Sequence, residues 1–227
     1  MNVEDFYRLL FSRRDVRGEY LPDPVCPEVL ARILNAAHHA PSVGLSQPWN
    51  FIVVREASRR RAVYREFTAC REREAAHFEG EQRQRYDRLR LEGILTAPVN
   101  ICVTCDRSRA GPAVLGRTQQ PDTDIYSTVC AIQNLWLAAR AEGLGLGWVS
   151  ILRTDVLKTL FALPESVEPI AYLCLGHVSD FYSRPELEVR GWRNRLPLES
   201  LVWLDQWGET SAEDPLLVSV RRVSALD

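Results

Sequence analysis

A chain of 227 residues, 46% hydrophobic and 26% charged, has the make-up of an ordinary globular domain and can bury a sizeable core. A formal net charge of −2 leaves no electrostatic footprint for nucleic acid, and no apolar run approaches the ~20 residues of a membrane-spanning helix. The N-terminus, MNVEDFYRLL, is acidic early and lacks a signal-peptide pattern, so the expected location is the cytoplasm.

The first element is a short helix. Asn2 can cap it, Glu4 and Asp5 sit in its first turn, and Phe6, Leu9 and Leu10 share a face. It stops at Ser12-Arg13-Arg14-Asp15-Val16-Arg17, three guanidinium groups around one carboxylate. Planar arginine forks suit phosphate, yet a solvated basic turn with an i,i+2 ion pair fits the same residues. Pro27 opens a second helix with apolar spacing at Val29, Leu30, Ile33, Leu34 and Ala37, and it ends before Ala40-Pro41. The loop from Pro41 to Asn50 is rich in small and hydrogen-bonding residues and leads into a strand at Phe51–Val54.

From Ala57 to about Leu91 arginine, glutamate and glutamine dominate. Apolar positions are sparse there, and Gly80 divides two helical pieces. This is the stretch least tied to a core, either a solvated hairpin or a lid over a site. A strand follows at Val99–Thr104, then a long loop from Asp106 to Asp124. The run Ile125–Glu142 is apolar nearly all round, so it reads as a core helix that also pairs with a second subunit, with Gly143 as its C-cap. In Gly143-Leu-Gly-Leu-Gly147-Trp-Val-Ser150, alternate glycines admit either another backbone or a flat ring. Thr154 and Asp155 cap a short helix, Pro169–Gly176 is a buried strand, and the last ~20 residues are expected to wander over a surface.

Helices first, then strands without a strict βαβ rhythm, point to an α+β fold with a small mixed sheet. The chain reads as one domain over 1–227, with an arm at about 57–92 and a C-terminal arm at about 180–227. Cys102 and Cys105 form a C-x-x-C within a strand. With no second pair, the six cysteines read as structural thiols. The four histidines share no metal-ligand spacing, and no metal site is expected. What remains is a distributed set of anion donors, Arg13, Arg14 and Arg17 early and Arg193 and Arg195 late, which suits a phosphorylated cofactor with an aromatic head.

These residues form a familiar series. R-R-x-x-R after a first helix, A-P-S-x-x-x-x-Q-P-W-x-F at Ala40–Phe51, G-L-G-x-G-W at Gly143–Trp148 and R-x-R-x-P-L-E at Arg193–Glu199 together resemble the flavin-dependent nitroreductase superfamily. Three further details are similar to its 5,6-dimethylbenzimidazole synthase branch: Asp15 inside the arginine motif, Ser150 in G-W-V-S-I, and the arm ending Arg88–Ile94 together with Cys102–Arg107 and Tyr126–Trp136. The resemblance implies a nitroreductase-like fold, with helices around a small mixed central sheet, in an intertwined homodimer with a helical lid. It implies FMN at the subunit interface. Arg13, Arg14 and Arg17 would contact the ring edge and ribityl phosphate, with Val16 and Val149 among the flavin contacts. Arg193 and Arg195 would complete the phosphate site, Pro41 and Ser42 would approach from the second subunit, and Arg90 would reach in from the arm.

The implied reaction consumes reduced FMN and molecular oxygen, with Asp15 as acid/base and Ser150 orienting oxygen or a ribityl hydroxyl. A separate flavin reductase is the implied partner for supplying reduced FMN. An NAD(P)H-dependent FMN nitro- or quinone reductase is the alternative, and a flavin carrier without turnover is a further one.

Overall fold

The computed structural model describes residues 2–224. They fall into two compact units, the first ending at Glu186 and the second beginning at Leu187.

The first unit is built on a four-stranded sheet. Its strands are β1 (Trp49–Val53), β2 (Val99–Asp106), β3 (Gly145–Val149) and β4 (Val167–Gly176), in the order β1-β2-β4-β3. Each neighbouring pair is antiparallel. This corrects the expected mixed sheet: the parallel component is a single bridge, Asp15 to Leu146, on the β3 edge.

Strand alternation gives the sheet two buried faces. Ile101, Val103, Leu173 and Leu175 point to one face, where they meet α2 (Pro27–His38) and α5 (Thr123–Ala141). Leu30, Ile33 and Ala37 of α2 pack there against Ala131, Ile132, Leu135 and Ala139 of α5. The alanines let these two helices approach closely. Cys102, Tyr172 and Cys174 point to the other face, against α3 (Ala57–Ala75), α6 (Thr154–Leu160) and the segment 94–97.

That second core corrects the expectation that the arm is the part least tied to a core. Val63 and Phe67 lie one helical turn apart on α3, and both are buried with Ile94, Ala97 and Leu157. Each such side chain contributes about 1.5–3 kcal/mol by burial, so two suffice to root a helix that is otherwise charged. Arg60 adds to this by donating to the carbonyls of Ile94 (2.8 and 3.1 Å) and Ala97. The break between α3 and α4 (Gly80–Asp87) falls at residues 76–79. Gly80, with φ +53°, is the first residue of α4.

Other helix ends follow local chemistry. The Asn2 side chain accepts from the Glu4 amide at 3.4 Å at the start of α1 (Val3–Ser12), which buries no residue completely. Gly143 ends α5 with φ +76°. The side chains of Thr154 and Asp155 do not cap α6, whose N-cap is Arg153. A single turn, α7 (Glu186–Val189), spans the junction between the units.

Within the second unit, α8 (Pro215–Ser224) corrects the expected irregular tail. Asp214 accepts from the Leu216 and Leu217 amides at 2.8 and 3.2 Å, Pro215 opens the first turn, and Leu217 and Val220 are buried. All six cysteines are free, with Cys102, Cys105 and Cys174 buried and Cys26 and Cys130 exposed. Among the described residues, no helix is long and apolar enough to cross a membrane.

Candidate active site

The arginine stretch leaves α1 in extended backbone and lies along the β3 edge. The Val16 amide donates to the Leu146 carbonyl at 3.0 Å. The extended backbone directs Asp15 and Arg17 to one side and Val16 to the other, where Val16 is buried. Asp15 Oδ1 accepts from the Trp148 amide at 3.0 Å. Its Oδ2 accepts from Arg17 Nε at 3.0 Å and Nη2 at 2.6 Å. The side chains are only 28% and 14% exposed, which rules out the solvated basic turn. Arg17 Nη1 is buried and has no hydrogen-bond partner among the described residues. A guanidinium donor left this way costs stability unless an acceptor meets it.

The alternate glycines of β3 admit a backbone. A methyl at Gly147 would overlap the Val16 carbonyl oxygen, and one at Gly145 would press on Val16 and Val178. Val149 is buried at the end of the strand, and Ser150 follows it, exposed. Ser150 lies two residues beyond the amide that holds Asp15.

The other early arginines are placed by the C-terminal half of α5. The Arg13 guanidinium stacks 4.7 Å from the centre of the Trp136 ring, and the Trp136 indole donates to the Arg14 carbonyl at 3.1 Å. Arg14 donates through Nε to the Tyr182 carbonyl at 2.9 Å, through Nη1 to the carbonyls of Phe11 and Arg13 at 2.6 and 2.7 Å, and through Nη2 to the Ser183 carbonyl. Its geometry is that of a fastener between the stretch and residues 182–183. Arg140 holds Ser12 in the same region and lies over the Phe181 ring at 3.8 Å. Arg90 reaches the stretch from the arm, with Nη1 donating to the Gly18 carbonyl at 3.2 Å. Sequence reasoning missed Trp136 and Arg140, whose partners are more than 120 residues away.

Pro41 and Ser42 lie at the other end of α5. The Val43 amide donates to Ser127 Oγ at 3.0 Å, and Ser42 Oγ accepts from the Gln47 amide at 3.0 Å. Ser127 precedes Trp136 by nine residues on α5, about 14 Å along the helix axis. A cavity of about 570 Å³, lined by Leu34, His38, Gln47, Trp49, Phe51 and Arg109 among others, belongs to this end and not to the Asp15 end. Arg193 and Arg195 lie in the second unit, both exposed. Among the described residues, no group of histidine, cysteine, aspartate and glutamate forms a metal cluster.

Residues 10–177 match the model of the nitroreductase family. The chain is 43% identical to a 5,6-dimethylbenzimidazole synthase from Rhodospirillum rubrum, over 82% of this chain and 87% of the relative. It is 39% identical to one from Rhodobacter capsulatus, over 88% and 98%. In fold it resembles iodotyrosine deiodinase bound to FMN and 3-iodo-L-tyrosine, with a TM-score of 0.68 at 20% identity, over 90% of this chain and 99% of that one. The family match, the two relatives and the helix-wrapped antiparallel sheet agree: the chain belongs to the nitroreductase family and, within it, groups with the 5,6-dimethylbenzimidazole synthases.

Proposed function

We propose that this protein converts reduced FMN and molecular oxygen to 5,6-dimethylbenzimidazole, the lower ligand of cobalamin, with release of erythrose 4-phosphate. The observation that carries the reading is the state of Asp15 and Arg17. The carboxylate is held from both sides, and the remaining Arg17 nitrogen is buried and has no acceptor among the described residues. A flavin ring edge or phosphate oxygen supplies the acceptor that this donor needs.

Arg13, Arg17 and Arg90 would hold the flavin beside Val16, Val149 and Ser150. Arg14 fastens the stretch to residues 182–183. Bound as substrate, reduced FMN supplies the electrons that reduce oxygen and the ring that becomes the product. Asp15, oriented by the Trp148 amide and Arg17, accepts and returns a proton at its carboxylate. Ser150 orients oxygen or a ribityl hydroxyl through its own hydroxyl. The rooted α3–α4 arm acts as the lid that excludes water and hydride donors.

The separation along α5 supports a homodimer. One chain places Arg13–Arg17 near the C-terminal end of that helix and Pro41–Ser42 near its N-terminal end. Two antiparallel copies bring these ends together, so Pro41 and Ser42 serve the second copy's flavin. The α5 stripe Tyr126, Val129, Cys130 and Gln133 is exposed, as are Phe6, Tyr7 and Phe11 of α1, which supports pairing through these helices. Six free thiols suit a reducing cytoplasm, where a separate flavin reductase would provide the reduced FMN.

The test is turnover of reduced FMN in air by Asp15→Asn and Ser150→Ala proteins. Both are expected to lose dimethylbenzimidazole formation while retaining FMN binding. Parent-rate formation by both would overturn the assignment. Steady NAD(P)H oxidation with a nitroaromatic acceptor, and no benzimidazole, would mark a reductase instead.

A further inference from the structure

Tyr20 lies five residues after Asp15, and four parts of the chain close on it. Its hydroxyl lies 2.7 Å from the Cys174 carbonyl oxygen of β4 and 3.1 Å from the Val16 carbonyl oxygen, with both as acceptors. Gly147 of β3 lies beside the same hydroxyl, where a methyl would crowd it at 3.2 Å. Its backbone bridges to Val178, and the next amide, Leu21, donates to the His177 carbonyl at 2.9 Å. Around the ring, glycine is required. A methyl at Gly93 would overlap the ring and crowd the Arg17 carbonyl, and one at Gly176 would press on Pro98 and the ring. The residue as a whole is half-buried, yet its hydroxyl is enclosed, and burial holds the phenol well above its usual pKa so that it remains a donor.

Space-filling alone does not need that hydroxyl, since a phenyl ring would occupy the same volume. The hydroxyl's partners explain it. Val16 stands between Asp15 and Arg17, so a rotation of the Val16 peptide turns both side chains. A single donor set between the Val16 carbonyl and β4 holds that peptide in register with the sheet. Gly93 follows Arg90 and Glu92 at the foot of the arm, so the same ring also seats the segment that returns from the lid.

We propose that Tyr20 is the positioning residue of this site: its hydroxyl ties the Val16 peptide to β4, which fixes where Asp15 and Arg17 stand along β3, and its ring seats the arm at Gly93. The assignment rests on the reading of this stretch as the flavin site. Tyr20 acts through its neighbours and touches no reacting atom.

The experiment compares Tyr20→Phe with Tyr172→Phe in the full chain. Tyr172 is a matched control. It is fully buried in the same core, and its hydroxyl donates to Asn100 Oδ1 at 2.9 Å, away from the arginine stretch. The first readout is FMN affinity from quenching of flavin fluorescence. Tyr20→Phe is expected to bind about tenfold more weakly, as loss of one ordering hydrogen bond predicts, and Tyr172→Phe within about twofold of the parent. The second readout is turnover of reduced FMN in oxygen, where Tyr20→Phe lowers kcat and the yield of dimethylbenzimidazole per flavin consumed.

Gly93→Ala displaces the ring without removing the hydroxyl, and it is expected to weaken FMN by a similar factor. It decides by the same criterion if Tyr20→Phe does not fold. Parent-like FMN affinity in Tyr20→Phe, or an equal loss in Tyr172→Phe, overturns the proposal. A parent protein that binds FMN but forms no dimethylbenzimidazole sinks the functional reading and leaves the affinity comparison to judge Tyr20. A parent that binds no FMN overturns both.

Discussion

Two ion pairs of similar length show why one arginine-rich region reads as a site and the other as a surface. In the arm, Arg83 and Asp87 meet at 2.9 Å across one turn of α4, with side chains 44% and 53% exposed. In the stretch after α1, Arg17 and Asp15 meet at 2.6 Å with side chains 14% and 28% exposed. The first pair is local and solvated, and solvent screens most of its Coulomb energy. The second is held from outside by the Trp148 amide and leaves one guanidinium nitrogen buried without an acceptor among the described residues. Distance alone does not separate them. Burial, the distant amide and the leftover donor do.

The largest effect that would sharpen this contrast comes from Asp15→Asn. The amide keeps the shape but removes the charge and the proton acceptor. Dimethylbenzimidazole formation is expected to fall by about 10³, within the usual range for loss of an acid/base group, with FMN affinity changed far less. A loss below tenfold in single-turnover assays would put Asp15 outside the chemistry. Arg17→Ala should weaken FMN binding by about 2–3 kcal/mol, because a part-buried charge loses its partner. Flavin titration reads this directly, and unchanged affinity would mean the orphan nitrogen does not face the flavin.

Smaller effects belong to the frame. Arg60→Ala removes the clamp on the Ile94 and Ala97 carbonyls and should lower stability by about 1–2 kcal/mol, visible in the urea midpoint. Alkaline pH should act in the same range. Burial pushes the Cys102 thiol up to about 12 and Cys105 to about 11. The folded protein therefore keeps protons that the unfolded chain releases from about pH 9. Stability is complete below that pH and falls by about 1.4 kcal/mol per pH unit per thiol as pH rises toward the folded values. Thermal midpoints between pH 8 and 10.5 measure it, and a flat profile would contradict the buried assignment. Asp87→Ala, in the arm, should cost about 0.3 kcal/mol at most and leave turnover at the parent rate.

The same contrast explains how much the sequence revealed. The helix capped by Asn2, the helix opened by Pro27 and the C-cap at Gly143 are set by neighbours within a few residues, and all are legible in one dimension. So were two readings of the alternate glycines, but only the fold shows that Val16 is what approaches Gly147. The fastening of Arg14 to residues 182–183, the indole of Trp136 and the enclosure of Tyr20 by Gly93, Gly147 and Gly176 join segments that are distant in the chain. No local spacing announces them. The Val63–Phe67 root of the arm was visible as an i,i+4 pair, but two apolar residues among many charges do not reveal that a sheet face waits for them. The tail helix carried its own signal in Asp214-Pro215, a cap followed by a first-turn proline.

The products of one reaction test the assignment of Asp15 and of the flavin-consuming chemistry most directly. Anaerobically reduced FMN is mixed with the protein, exposed to oxygen, and the products are identified by mass spectrometry. The expected result is 5,6-dimethylbenzimidazole with a four-carbon sugar phosphate, formed by the parent and absent with Asp15→Asn. Recovery of intact, reoxidised FMN as the sole flavin product from the parent protein would contradict it.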